Sequence, residues 1–66
     1  MKTVFIIVDH QENYDQYYMG DLLGTKDLFS LKRKKAKIFL TYDECIDTVL
    51  ADKLPVSWYS IEKNFI

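Results

Sequence analysis

Near the start of the chain, Thr3-Val4-Phe5-Ile6-Ile7-Val8 carries β-branched or aromatic side chains at both parities, and then the sequence turns polar at Asp9-His10-Gln11-Glu12-Asn13. The run is too short for a free-standing helix and predicts a strand. Val4, Ile6 and Val8 share one face, with Phe5 and Ile7 on the other, which suits a central strand or one whose second face is covered. Tyr14-Asp15-Gln16-Tyr17-Tyr18-Met19, bounded by Gly20, predicts a second strand returning from a polar hairpin loop. Residues 20–31 contain both glycines and no clean period, which predicts a loop with one helical turn.

After the run Lys32-Arg33-Lys34-Lys35-Ala36-Lys37, the residues Ile38-Phe39-Leu40 predict a short strand that stops at Thr41. Thr41 and Glu44 then fit a capping box, and Asp43 and Glu44 place negative charge in a first helical turn. Tyr42, Cys45, Ile46, Val49 and Leu50 recur at the spacing of one helical face, opposite an acidic face of Asp43, Glu44, Asp47, Thr48 and Asp52. Pro55 prevents continuation, so the predicted helix covers about residues 42–53. Val56 to Ile61 alternates loosely and predicts a last strand, leaving Phe65 and Ile66 as an apolar tail. If the strands flanking the helix are parallel in one sheet, a right-handed crossover lays the helix over it.

These elements predict a single α+β domain over residues 1–66, a small three- to four-stranded sheet with one helix on one face. One helix covers one sheet face. Phe5, Ile7, Phe39 and Tyr59 are the candidates for an apolar interface on the other.

The order Ala36-Lys37-Ile38-Phe39, a helix opening at Thr41 through Glu44, and then Ser57-Trp58-Tyr59-Ser60-Ile61-Glu62 resembles short bacteriophage early proteins. The resemblance implies a non-enzymatic protein that acts by binding a host macromolecule in the host cytoplasm.

Composition sharpens this picture. At 66 residues the chain buries only about 60% of its unfolded surface, a marginal core. Its single cysteine allows no internal disulfide, so self-association, with a dimer favoured, or a protein partner is expected to supply the missing stability. No apolar run approaches the roughly 18 residues of a membrane span, so the expectation is a cytoplasmic domain without a membrane partner. Net charge is −1, yet the run 32–37 holds five of the nine basic residues. Against the other four stand ten acidic residues, so charge is segregated along the chain.

Lys32, Arg33, Lys34, Lys35 and Lys37 are therefore the candidate contact residues for a partner. They could neutralise phosphates of a nucleic acid, complement the acidic helix face within one subunit or across two, or be a solvated turn that keeps a strand edge from pairing. A net acidic domain lacks the overall field of a dedicated nucleic-acid binder, which favours the protein reading. Phe5, Phe39 and Tyr59 could stack on bases, but no pattern of an RNA-binding module accompanies them, and core or interface packing is the better default. Asp9, His10, Glu12 and Asp15 are the densest set of metal-ligating types; without a His pair or a calcium-loop pattern they read as a solvated hairpin. Cys45 lies on the apolar helix face, as a buried inert thiol would. No glycine-rich phosphate loop or nucleophile elbow is present, so neither enzyme activity, metal nor cofactor is expected.

Overall fold

The computed structural model describes residues 1–20, 28–51, 54 and 58–66. Strand β1 (Thr3–His10) is the centre of a four-stranded antiparallel sheet with β2 (Asp15–Tyr18), β3 (Phe29–Ser30) and β4 (Tyr59–Phe65), in the order β3-β2-β1-β4. Helix α1 (Tyr42–Ala51) contacts β1. The protein is thus an α+β domain with one α-helix against the sheet. Among the described residues no helix is long and apolar enough to cross a membrane.

The doubly apolar β1 is central because both its edges are occupied. One pairs with β4 along Thr3 to Asp9. The other pairs with β2 over Val8 to His10 and, further back, with Phe39: Phe5 and Phe39 exchange backbone hydrogen bonds of 2.8 and 2.9 Å. The predicted strand 38–40 is reduced to this isolated bridge. Phe39 and β4 both run antiparallel to β1 on its two sides, so they are parallel to each other with β1 between them.

Two further differences concern the ends of elements. Phe29 and Ser30, expected in a loop, form a short strand on β2, with Phe29 opposite Tyr18. The last strand begins at Tyr59 and continues through Phe65, whereas the apolar pattern suggested 56–61; Val56 and Ser57 lie outside the described residues. Cross-strand pairing with β1 carries the ladder through Lys63 and Asn64, overriding their low strand propensity. The predicted helical turn in 20–31 falls largely on residues 21–27, also outside the described set.

Helix α1 starts as the cap predicts. Glu44 N–H donates to Thr41 Oγ1 at 3.2 Å, while the Glu44 carboxylate reaches back to Leu40 N–H at 3.4 Å, one residue before the cap itself. Cys45 and Val49 are buried, but Tyr42 and Leu50, expected on the same apolar face, are exposed. The contacting stripe is narrower than the apolar one. Tyr42 instead leans its ring edge-on to Phe5, with centroids 6.3 Å apart.

Register fixes the two sheet faces. Phe5, Ile7 and Phe39 lie beneath the helix rather than opposite it, in a core of Ile7, Tyr18, Phe39, Cys45, Val49 and Leu54 with Tyr59 and Ile61 against it. The face away from the helix carries Val4, Ile6 and Val8 instead. Asp9, on the core side, is 2% exposed, and its Oδ2 accepts from the side-chain amides of Gln11 and Gln16 at 2.7 Å each. A buried carboxylate with two donors is satisfied rather than stranded.

Candidate interaction surface

Val4, Ile6 and Val8 are only 1 to 3% exposed although α1 lies on the other face of the sheet. Among the described residues, the basic run lies beside Val4 and Ile6. Residues Arg33–Lys35 form one turn of 3-10 helix, and Arg33 extends from it across the sheet. Its guanidinium lies 5.9 Å from the centre of the Tyr17 ring on β2. On β4 it binds both carboxylate oxygens of Glu62, through Nη1 at 2.9 Å and through Nη2, and donates to Asn64 Oδ1 at 2.8 Å. Because β1 runs between β2 and β4, the Arg33 arm crosses over it. The Glu62 hydrogen bond holds the guanidinium pKa above its ordinary value. A planar fork suits this bidentate contact in a way an ammonium does not, which explains the lone arginine among lysines.

Beyond the arm the face opens into a groove of about 490 Å³. Val4 and Ile6 line it from β1. Ala36 and Ile38 flank it on one side with Arg33 and Lys34; Asn64, Phe65 and Ile66 flank it on the other. Ile38, Phe65 and Ile66 are exposed. Lys32, Lys34, Lys35 and Lys37 are also exposed and make no ion pair among the described residues. Lys37 folds over Gly20, whose φ of +82° ends β2 in a conformation that side chains resist, and its Nζ sits 5.4 Å from the Phe39 ring centre. The run therefore separates into a structural Arg33, a Lys37 laid over its own core, and Lys32, Lys34 and Lys35 directed outward.

The candidate apolar residues do not contribute to this surface. Ile7 and Phe39 are buried in the core, and Phe5 and Tyr59 are half-buried against it. Sequence reasoning missed Val4, Ile6 and Ile38, whose parity was legible but whose face was not.

A second constellation stands at the other end of the same face. His10 Nδ1 lies 2.9 Å from Asp15 Oδ1 and Nε2 lies 2.8 Å from Ser60 Oγ, with the His10 ring centred 5.1 Å from that of Trp58. Three strands thus bring a carboxylate, an imidazole and a hydroxyl into the line used by serine hydrolases. Such a line also needs oxyanion donors and a substrate pocket. Hydrogen bonds at Lys2–Ile66 and from His10 N–H to the Trp58 carbonyl set the ladder so that Ser60 turns its backbone groups toward β1. The groove is remote too: Ile6, its nearest strand residue, is four positions from His10, about 13 Å along a strand. Asp15, His10 and Ser60 link β2, β1 and β4 across this end of the sheet. Asp9, adjacent in sequence, points to the opposite face, and among the described residues no group of three or more His, Cys, Asp or Glu side chains gathers as a metal site.

Cys45 is fully buried, and burial, followed by the nearby Glu44 charge, pushes its thiol pKa up to about 11. That is the opposite of what a nucleophile needs. Comparison with protein-family models, curated proteins and solved structures found no match.

Proposed function

We propose that this domain is a non-enzymatic protein-interaction module of the cytoplasm, which binds through the sheet face away from its helix. The observation that carries the reading is a groove lined by Val4, Ile6 and Ile38 beside outward lysines that lack carboxylate partners among the described residues. Apolar lining with a cationic border fits a protein segment that presents an apolar side chain flanked by acidic ones. The resemblance to phage early proteins is compatible with a host protein in that role.

A photo-crosslinking amino acid at position 38 in cells tests this directly. Covalent adducts to protein that disappear with Lys34→Glu, an exposed substitution at the groove, are the expected result; absence of adducts from a folded variant overturns the reading. A nucleic-acid function is the second reading, favoured by the exposure of Lys32, Lys34 and Lys35. It requires oligonucleotide binding that weakens steeply between about 50 and 200 mM salt and is abolished by Lys34→Gln with Lys35→Gln.

A further inference from the structure

Among the described residues, nothing pairs with the outer edge of strand β4. In the β1–β4 ladder, Lys2 and Ile66 exchange backbone hydrogen bonds of 2.7 and 2.9 Å, and His10 N–H donates to the Trp58 carbonyl at 2.8 Å. Antiparallel pairing alternates strictly, so even-numbered residues of β4 turn their backbone groups toward β1. Tyr59, Ile61, Lys63 and Phe65 therefore turn theirs outward. Among the described residues no backbone group pairs with them. An edge strand of seven residues is a template for another strand.

We infer that this edge takes a second copy of itself: β4 pairs antiparallel with the partner's β4 about a twofold axis through Ile61, joining two sheets into one of eight strands. The charges on the edge disfavour two of the symmetric registers. Outward-facing groups must meet outward-facing groups, so a symmetric pairing centres on a residue of the strand. Centring on Glu62 sets the two Glu62 side chains directly opposite each other, and centring on Lys63 does the same for the lysines. Like charges in that position are destabilising. Centring on Ile61 sets Ser60 opposite Glu62 and Tyr59 opposite Lys63, which places a hydroxyl beside a carboxylate and an ammonium beside an aromatic ring. Edge charges that repel other strands thus permit this one, and an isologous contact is what closed dimers use. Paired residues in adjacent antiparallel strands share a face, so both helices lie on one side of the joined sheet and both grooves on the other.

The pairing uses the β4 edge and not the groove, so its failure leaves the groove reading intact. Amide exchange of the wild-type chain, followed by NMR from about 20 µM to 1 mM, tests it within the micromolar-to-millimolar affinity range. The Ile61 and Lys63 amides should become more protected as concentration rises, while those of Ser60 and Glu62 stay protected throughout. Lys63→Pro removes only an outward N–H, which the β1 ladder does not use, and should weaken dimerisation in sedimentation equilibrium roughly tenfold or more. Chains carrying Ser60→Cys mixed with chains carrying Glu62→Cys should form an intermolecular disulfide, since these positions oppose each other as a non-hydrogen-bonded pair, about 4.5 Å apart at Cα. Concentration-independent exchange of Ile61 and Lys63, or a dimer that Lys63→Pro leaves unchanged, overturns the inference. A dimer without the cross-link between the Ser60→Cys and Glu62→Cys chains overturns the register.

Discussion

The two faces of the sheet are covered by different kinds of material. Beneath the helix, aromatic and aliphatic side chains from several elements interlock around Ile7, with Tyr18 and Phe39 rings stacked 6.2 Å apart. On the other face, among the described residues, an extended arginine reaches from Tyr17 to Glu62 and Asn64 across β1, beside a groove that Ile6 lines. The first face is close-packed and commits its residues to stability. The second hides its apolar strand with a charged side chain, whose hold depends on a few hydrogen bonds. A small domain with one helix can seal only one face by apolar packing, and the other is where it can meet a partner.

The comparison breaks first on truncation. Ile7→Ala removes a fully buried side chain from the dense core and should cost about 3 kcal/mol in urea denaturation, within the usual span of about 2–5 kcal/mol for such truncations. Ile6→Ala, beside the open groove, should cost less than half of that, because water and neighbouring chains can fill the space. Equal losses at the two positions would mean that the second face is packed as tightly as the first.

Cys45 sharpens the same contrast through pH. Its thiol rises from 9.0 to about 11, chiefly by burial and secondly by the Glu44 charge. The folded chain therefore keeps a proton that the unfolded chain releases. Stability from this group is fully present below pH 9 and declines as pH rises toward 11, by about 2 to 3 kcal/mol in all. Cys45→Ala should lose that decline while retaining whatever alkaline slope the other groups impose. Below pH 9 the native thiol should also react with a thiol reagent only as fast as the core opens. Rapid labelling of the native chain at pH 8 would place Cys45 outside the sealed face.

On the open face the matching test is Arg33→Ala, with an expected cost of about 1 kcal/mol. The guanidinium pair is half-exposed, so solvent and salt limit its worth, and part of the loss comes from uncovering Ile6 and Val8. Raising salt should narrow the difference between wild type and variant. Arg33→Lys should recover only part of it, since an ammonium cannot engage both Glu62 oxygens in a fork. The groove should widen toward Val8, which fluorescence of an apolar dye can report.

The sealed face was more legible in the sequence than the open one, for a physical reason. β1 and the start of α1 announce themselves through local signals: an apolar run at both parities, and Thr41 with Glu44 at cap spacing. Which parity of β1 meets the helix is decided by pairing with β4 and with Phe39, contacts made between residues far apart in the chain. That is why Phe5, Ile7 and Phe39 read equally well as an outer face and turned out to be the core. The strand carried by Lys63 and Asn64 was hidden for the same reason, since pairing rather than propensity holds it. The Arg33–Glu62 contact spans 29 residues and has no periodic trace. Its one visible sign is compositional: a single arginine in a lysine run, and alternating polar residues Ser60, Glu62 and Asn64 in a segment that otherwise alternates with Tyr59 and Ile61.

The smallest effect concerns the clasp at His10, where the open face ends. If Asp15, His10 and Ser60 tie three strands together without doing chemistry, Ser60→Ala should cost about 0.5 kcal/mol, the low end of what one hydrogen bond is worth, because Ser60 is exposed. His10→Gln, which can still bridge Asp15 and Ser60, should cost less than His10→Ala. The Trp58 fluorescence should shift with His10→Ala because the imidazole against its ring is gone. A catalytic line predicts a different ranking: Ser60 would be labelled by a fluorophosphonate, and His10→Gln would abolish labelling as fully as His10→Ala. The clasp predicts no labelling above that of the Ser60→Ala control, because the Ser60 backbone groups already face β1 and the groove lies elsewhere on the sheet. Labelling of Ser60 that depends on His10 would turn this end of the open face from a fastening into a reactive site.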